Sequence, residues 1–381
     1  MTEPNPTPPG PPPLIPPAAD ISNVMPTEYP RPGFGLGQAI LWCLLFLLIL
    51  NGGSVAFVVL AWIVAGVATG DPAGFARGEW DKLLESSDAI KQGQPYTLPA
   101  GLLTALAWGM MLGQLTALIF VWVLLRWRVG RDWRRRIAFR RPTALHLTLA
   151  IVATPGLMIL HGGVHELVHT VFRQPLTADA GEAMRDVFAP WPWPLAVFVV
   201  GVLPGVLEEF FCRGFLGRGL VARYGVGTGI LLTSVLFGVL HVLPLYALGT
   251  MVMGLALHVT YLASRSLWVP ITIHAVNNSV TILATTGIID AKALDQNAAG
   301  LGALVYLAAS TAVAASLIAM WTGRVRLTPI DPALPPWSPS SPGVELPPTG
   351  VNTGTRAARA SPAAIVIAVA ATVALLYLLL R

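Results

Sequence analysis

Two adjacent carboxylates, Glu208 and Glu209, stand inside an otherwise uncharged apolar run, followed by Arg213. Ionisable side chains within membrane helices are costly and mark function more often than chance. Glu209 and Arg213 are four residues apart with the acid first, the favoured order for an ion pair on one helix face. Glu208 is turned about 100° away and has no local partner, which leaves it available to exchange a proton. Two later runs carry Phe237-Gly238-Val239-Leu240-His241 and His274-Ala275-Val276-Asn277-Asn278. Phe237 and His241 share a helical face, and so do His274 and Asn278; a histidine and a carboxamide so placed can hold a water or a carbonyl oxygen between them. Glu208 and His241 are equally far from the break at Arg223-Tyr224-Gly225, so an antiparallel helix pair brings them to one depth. His274 follows close on Arg265 and matches that depth only if segment 213–226 projects from the membrane. Pro204 and Pro270, each four residues before a candidate group, are either kinks through which water enters or prolines that membrane helices simply tolerate.

These three motifs, in this order and on separate spans, resemble the CAAX prenyl protease and bacteriocin-processing (CPBP, or Abi) family of intramembrane proteases, whose pattern is EExxxR, FxxxH and Hxxx(N/D). The similarity covers residues 190–290, a CPBP-like core. It implies an all-α membrane fold, a site opening toward the cytosol, and endopeptidase activity on a membrane-associated peptide or protein. By the same resemblance Glu208 is the base that activates water, His241 assists, and His274 and Asn278 stabilise the oxyanion. Glu209 and Arg213, with Phe237, support them. Glu208, His241 and His274 are also a ligand set for zinc with an open fourth position, so a metalloprotease stays open beside a metal-free mechanism.

A second motif competes. His165-Glu166-Leu167-Val168-His169 is an HExxH, in which two histidines one turn apart bind zinc and the glutamate acts as base. A later aspartate ligand is missing, since after Asp186 the next aspartate is Asp290. A polar helix end explains the motif without metal. A third alternative is a non-catalytic membrane protein, with an immunity or scaffold role. His146, His161 and His258 complete the seven histidines, and His258 is expected to be packing.

The elements that must position these groups follow from composition. In 381 residues, 54% are hydrophobic and 11% charged, against about 25% charged in soluble domains. The lipid bilayer is therefore the expected solvent. A net charge of +5 spread this thinly argues against nucleic acid as a partner. Cys43 and Cys212, both in apolar runs, exclude a disulfide framework. Uncharged or nearly uncharged runs predict spans at 37–68, 99–125, 144–164, 194–220, 226–243, 245–263, 267–289, 299–321 and 363–380. The first, with Asn51-Gly52-Gly53 at its centre, reads as one long or broken helix. The fold class is all-α: about eight spans form a body and a ninth is a C-terminal anchor.

Twelve of the 33 prolines lie in residues 1–32 and nine in 329–362, which predicts a disordered tail over 1–33 and a flexible tether over 327–362. The remaining units are 34–189, 291–326 and 363–381. No basic segment followed by an apolar run opens the chain, so no cleavable signal is expected. Eight arginines in residues 126–141 place that loop and the N-terminus on the cytoplasmic side, with 69–98, 170–193 and 290–298 as external loops. The expected location is the bacterial cytoplasmic membrane.

Overall fold

The computed structural model describes residues 33–92, 98–172, 184–241, 244–331 and 353–380. The expected tail over 1–33 lies outside them except for Gly33. Within lipid every backbone N–H and C=O needs an internal partner, and the apolar runs satisfy this as helices. They are α1 (Leu36–Ala68), α3 (Ala100–Leu124), α4 (Ala144–Phe172), α5 (Trp193–Tyr224), α6 (Val226–Val239), α7 (Pro244–Ser264), α8 (Trp268–Thr285), α9 (Ala291–Thr322) and α10 (Pro362–Leu380), with α2 (Pro72–Lys91) between α1 and α3. Among the described residues seven helices are long and apolar enough to cross a membrane. The chain is an all-α polytopic membrane protein.

The structure differs from the nine expected spans at two places that both concern the site. Helix α6 has 14 residues, about 21 Å at 1.5 Å per residue, too short for an apolar layer of about 30 Å. It stops at Val239, and His241 sits in the turn that follows. Helix α8 has 18 residues but is not among the seven apolar spans, because His274, Asn277, Asn278 and Ser279 make it polar. Other boundaries move as well. Helix α1 runs unbroken through Asn51-Gly52-Gly53. Much of the expected loop 69–98 is α2, a helix too polar to register as a span, and α9 starts at Ala291 inside the expected loop 290–298.

Glycines set how closely the helices approach. On α3, Gly109 and Gly113 face Ser54 and Val58 of α1, where a Cβ would collide with α1 backbone atoms at 2.8–2.9 Å. This is small-xxx-small packing, which lets membrane helices meet backbone to backbone. Gly201 and Gly205 of α5 meet Ser279 and Ala275 of α8 in the same way, and that crossing carries the site.

Helix α5 is not uniform. Residues Val197–Val202 and Phe210–Gly217 are wide turns with i→i+5 hydrogen bonds, on either side of an ordinary stretch Leu203–Glu209. Such widened turns are rare and often occur at functional sites. Pro204 lies just after the first, where the ladder is already interrupted. Pro270 is the third residue of α8, in a first turn whose N–H groups lack helical acceptors anyway, so it does not kink the helix.

Described residues near the two ends of the expected tether 327–362 form paired strands. β1 (Val325–Pro329) and β2 (Thr353–Ala357) pair antiparallel, with Val325 opposite Ala357; residues 332–352 lie outside the description. Helix α10 packs on α9 and α4, buries Ala364, Ala368, Thr372, Leu375 and Leu379, and donates from Thr372 Oγ1 to the Val152 carbonyl at 3.0 Å. It is part of the helical body.

Candidate active site

The site forms where the middle of α5, the end of α6 and the first half of α8 meet. Glu209 is fully buried and its Oε1 accepts from Arg213 Nη1 at 2.6 Å. Arg213, also fully buried, donates through Nη2 to the Gly254 carbonyl of α7 at 2.9 Å, and its guanidinium lies 4.5 Å from the centre of the Phe237 ring. The same Glu209 Oε1 is 3.0 Å from His274 Nδ1. A carboxylate already paired with arginine only accepts, so His274 Nδ1 carries a proton and Nε2 points onward.

Glu208 faces the other way. Its Oε2 is 3.9 Å from His274 Nε2 and 4.0 Å from His241 Nε2, and its side chain is 18% exposed where Glu209 is 0%. His241 Nδ1 lies 3.0 Å from the Phe237 carbonyl oxygen, another pure acceptor, so this ring too is protonated at Nδ1 and directs Nε2 at Glu208. Phe237 lies edge-on between the rings, at 5.2 Å from His241 and 5.6 Å from His274. The short α6 explains the meeting: ending a helix inside the layer sets His241 level with Glu208. His274 reaches the same depth because Gly201 and Gly205 admit α8 against α5.

Asn278 lies one turn after His274, partly exposed, and its Oδ1 accepts from Asn277 Nδ2 at 2.9 Å. Its NH2 group is not used in that bond. The three motifs include neither the Gly254 carbonyl nor the Gly201/Gly205 seam, although the G-xxx-G spacing of the seam is readable in the sequence. His161 of α4 lies outside the three motifs; the structure brings this residue into electrostatic range of His165, His241 and His274 and lays its ring against Gly249 of α7. In the HExxH, Glu166 is exposed and His165 half-buried; the side chain of His169 lies outside the described residues. His258 is buried against Gly217.

The arrangement tests the zinc reading. Ligands on tetrahedral zinc, with bonds of about 2.0–2.1 Å, lie about 3.3 Å apart. The Glu208–His241 and Glu208–His274 separations of 4.0 and 3.9 Å are wider, and no group of three His, Cys, Asp or Glu placed to hold a metal occurs among the described residues. As arranged, Glu208, His241 and His274 do not fit the ion.

Comparison with curated proteins and with solved structures returned no match to the chain. Residues 190–280 match the model of the Rce1-like family, described as type II CAAX prenyl endopeptidase, so the stretch that carries every candidate group from Glu208 to Asn278 is similar to the family its motifs resemble.

Proposed function

We propose that the chain is an intramembrane endopeptidase that hydrolyses a peptide bond of a membrane-associated substrate, with Glu208 as the base. The observation that carries this is the contrast between adjacent carboxylates: Glu209 Oε1 is held by both Arg213 and His274, while Glu208 Oε2 is buried, makes no hydrogen bond and is faced by two imidazole Nε2 atoms. A gap of 4.0 Å between Glu208 and His241 is too wide for a hydrogen bond and suits a bridging water. Water donates to both, because each presents an acceptor, which leaves its lone pairs free to attack.

In the reaction Glu208 takes a proton from this water, and the hydroxide oxygen bonds to the substrate carbonyl carbon. The oxyanion that develops needs donors. His274, held at Nδ1 by Glu209, and Asn278, through its NH2, are the groups assigned to it. Collapse breaks the C–N bond as Glu208 returns the proton to the leaving nitrogen. No step passes through a metal. Residues 190–290 are the catalytic core in this reading, the arginine loop and the N-terminus are cytoplasmic, the site opens on that side, and the location is a bacterial cytoplasmic membrane.

The test compares new protein N-termini in cells producing the wild-type chain, Glu208→Gln or Glu166→Ala. Termini present with wild type and Glu166→Ala and lost with Glu208→Gln support the proposal. Termini that survive Glu208→Gln, or vanish only with Glu166→Ala, overturn it in favour of the HExxH or a non-catalytic role.

A further inference from the structure

A second concentration of charge lies away from the site, where loop 130–143 meets the ends of α5 and α7. The loop is stitched to α7 and to the turn that follows it: Tyr261 Oη donates to the Ile137 carbonyl at 3.0 Å, Leu267 N to the Ala138 carbonyl at 3.0 Å, and Ser266 Oγ to the Arg140 carbonyl at 2.6 Å. Three guanidinium groups, those of Arg140, Arg218 and Arg265, lie in electrostatic range of the buried Tyr261 ring, and Arg136 is in range of Arg218. Gly217, directly before Arg218, packs against His258 one turn before Tyr261, which fixes Arg218 beside α7.

Arg140 and Arg218, the two groups that matter here, have no anionic counterpart in the stretches of chain that carry them. Asp132, exposed, is the single acid in residues 126–143, and residues 210–268 contain no Asp or Glu. The Arg218 side chain makes no hydrogen bond or ion pair among the described residues, and its Nε is shut off from solvent; Arg140 donates from Nε to the Arg265 carbonyl, while its Nη2 is buried without a partner. A buried, unpaired guanidinium is expensive. Both side chains are half-buried, so they remain reachable from outside.

The position narrows the ligand. Trp133, Phe139, Phe210 and Trp268 cluster beside this loop, with Phe139 5.1 Å from Trp268 and 5.2 Å from Phe210, and Arg128 lies over Trp42 and Trp127. Aromatic residues mixed with arginine at helix ends mark the level of lipid headgroups. A guanidinium fork matches phosphate oxygens in pairs. We propose that Arg140 and Arg218, beside Tyr261, form a binding site for the phosphate of an anionic lipid headgroup.

The full chain is reconstituted in phosphatidylcholine vesicles, with or without phosphatidylglycerol, and its thermal unfolding is followed by tryptophan fluorescence; lipid carried through delipidation is measured by native mass spectrometry. Wild type retains phosphatidylglycerol over phosphatidylcholine, and Arg140→Gln/Arg218→Gln lowers that preference about tenfold, while Arg128→Gln, removing a surface arginine, changes it less than about twofold. Arg218→Gln alone removes no internal hydrogen bond, so the fold survives. It raises the unfolding temperature in phosphatidylcholine, where the charge is uncompensated, and lowers it in phosphatidylglycerol, an inversion that a purely structural arginine would not produce. Inorganic phosphate is the second arm: no shift with phosphate assigns the headgroup, and an equal shift assigns the phosphate group as the recognised element, both in support of the site. Equal lipid retention by wild type and the double variant, or an equal loss in Arg128→Gln, overturns it.

Discussion

Gly205→Ala is the sharpest test of how the site is assembled, because it changes one methyl group on a residue outside the proposed chemistry. A Cβ at Gly205 would lie 2.9 Å from Ala275 N and 3.1 Å from its Cα and Cβ. Carbon contacts settle near 3.5–4.0 Å, so α5 and α8 must separate by about 0.5 Å. Neither side of the clash is a flexible side chain, so rotation does not relieve it. The same shift stretches the 3.0 Å His274–Glu209 bond to about 3.5 Å, the edge of hydrogen bonding. It also carries His274 Nε2 beyond its 3.9 Å distance from Glu208.

Misplacement on the ångström scale costs about 10²-fold in rate where several groups must align, and overpacking costs about 1–3 kcal/mol of stability. The assay is initial cleavage of the substrate identified with Glu208→Gln, in proteoliposomes, beside a thermal melt. Gly52→Ala is the control: nothing lies within 4 Å of its Cβ position, so alanine should leave turnover unchanged and add about 0.5–1 kcal/mol to helix stability. Turnover of Gly205→Ala within about threefold of wild type would refute the view that this crossing sets the catalytic geometry.

Glu209→Gln strands the fully buried Arg213, and loss of about 3–5 kcal/mol is expected, seen as a lower melting temperature; a melt equal to wild type would mean that the ion pair does not anchor the fold. His241→Ala should reduce turnover with little change in melting, since the His241 ring is one-third exposed and its removal opens no sealed cavity; a large drop in stability would contradict its place at an accessible site. A protease site engineered into residues 332–352 tests α10. After cleavage the C-terminal fragment should stay with the body through its packing on α9 and α4, whereas separation on size-exclusion chromatography would restore the picture of a tethered anchor.

Much of the architecture was legible because lipid imposes a simple rule. Charge is excluded from the apolar layer, so uncharged runs become helices and the exceptions stand out. That rule failed where its premise did. Helix α2 is polar and left no hydropathy signal, and α6 was read as longer than it is because apolar residues continue past the point where the backbone turns. The prolines of 329–362 predicted a tether, yet the residues at its two ends pair as β1 and β2. Strand pairing across so long a separation has no local periodicity to reveal it.

Within the site, the Glu209–Arg213 pair was readable from its spacing, because an i, i+4 relation is a property of one helix. The equal distances of Glu208 and His241 from the Tyr224–Gly225 turn foreshadowed their approach. The sequence by itself determined the solvent, the helical class and the small set of polar groups that a membrane would otherwise reject. Only the tertiary structure decided which carboxylate is consumed and which is open, since that depends on α8 approaching closely enough for His274 to take Glu209 on one side and face Glu208 on the other. Helix periodicity records which residues share a face; how deep each face sits, and against which neighbour, is settled by packing at glycine seams that no single helix contains.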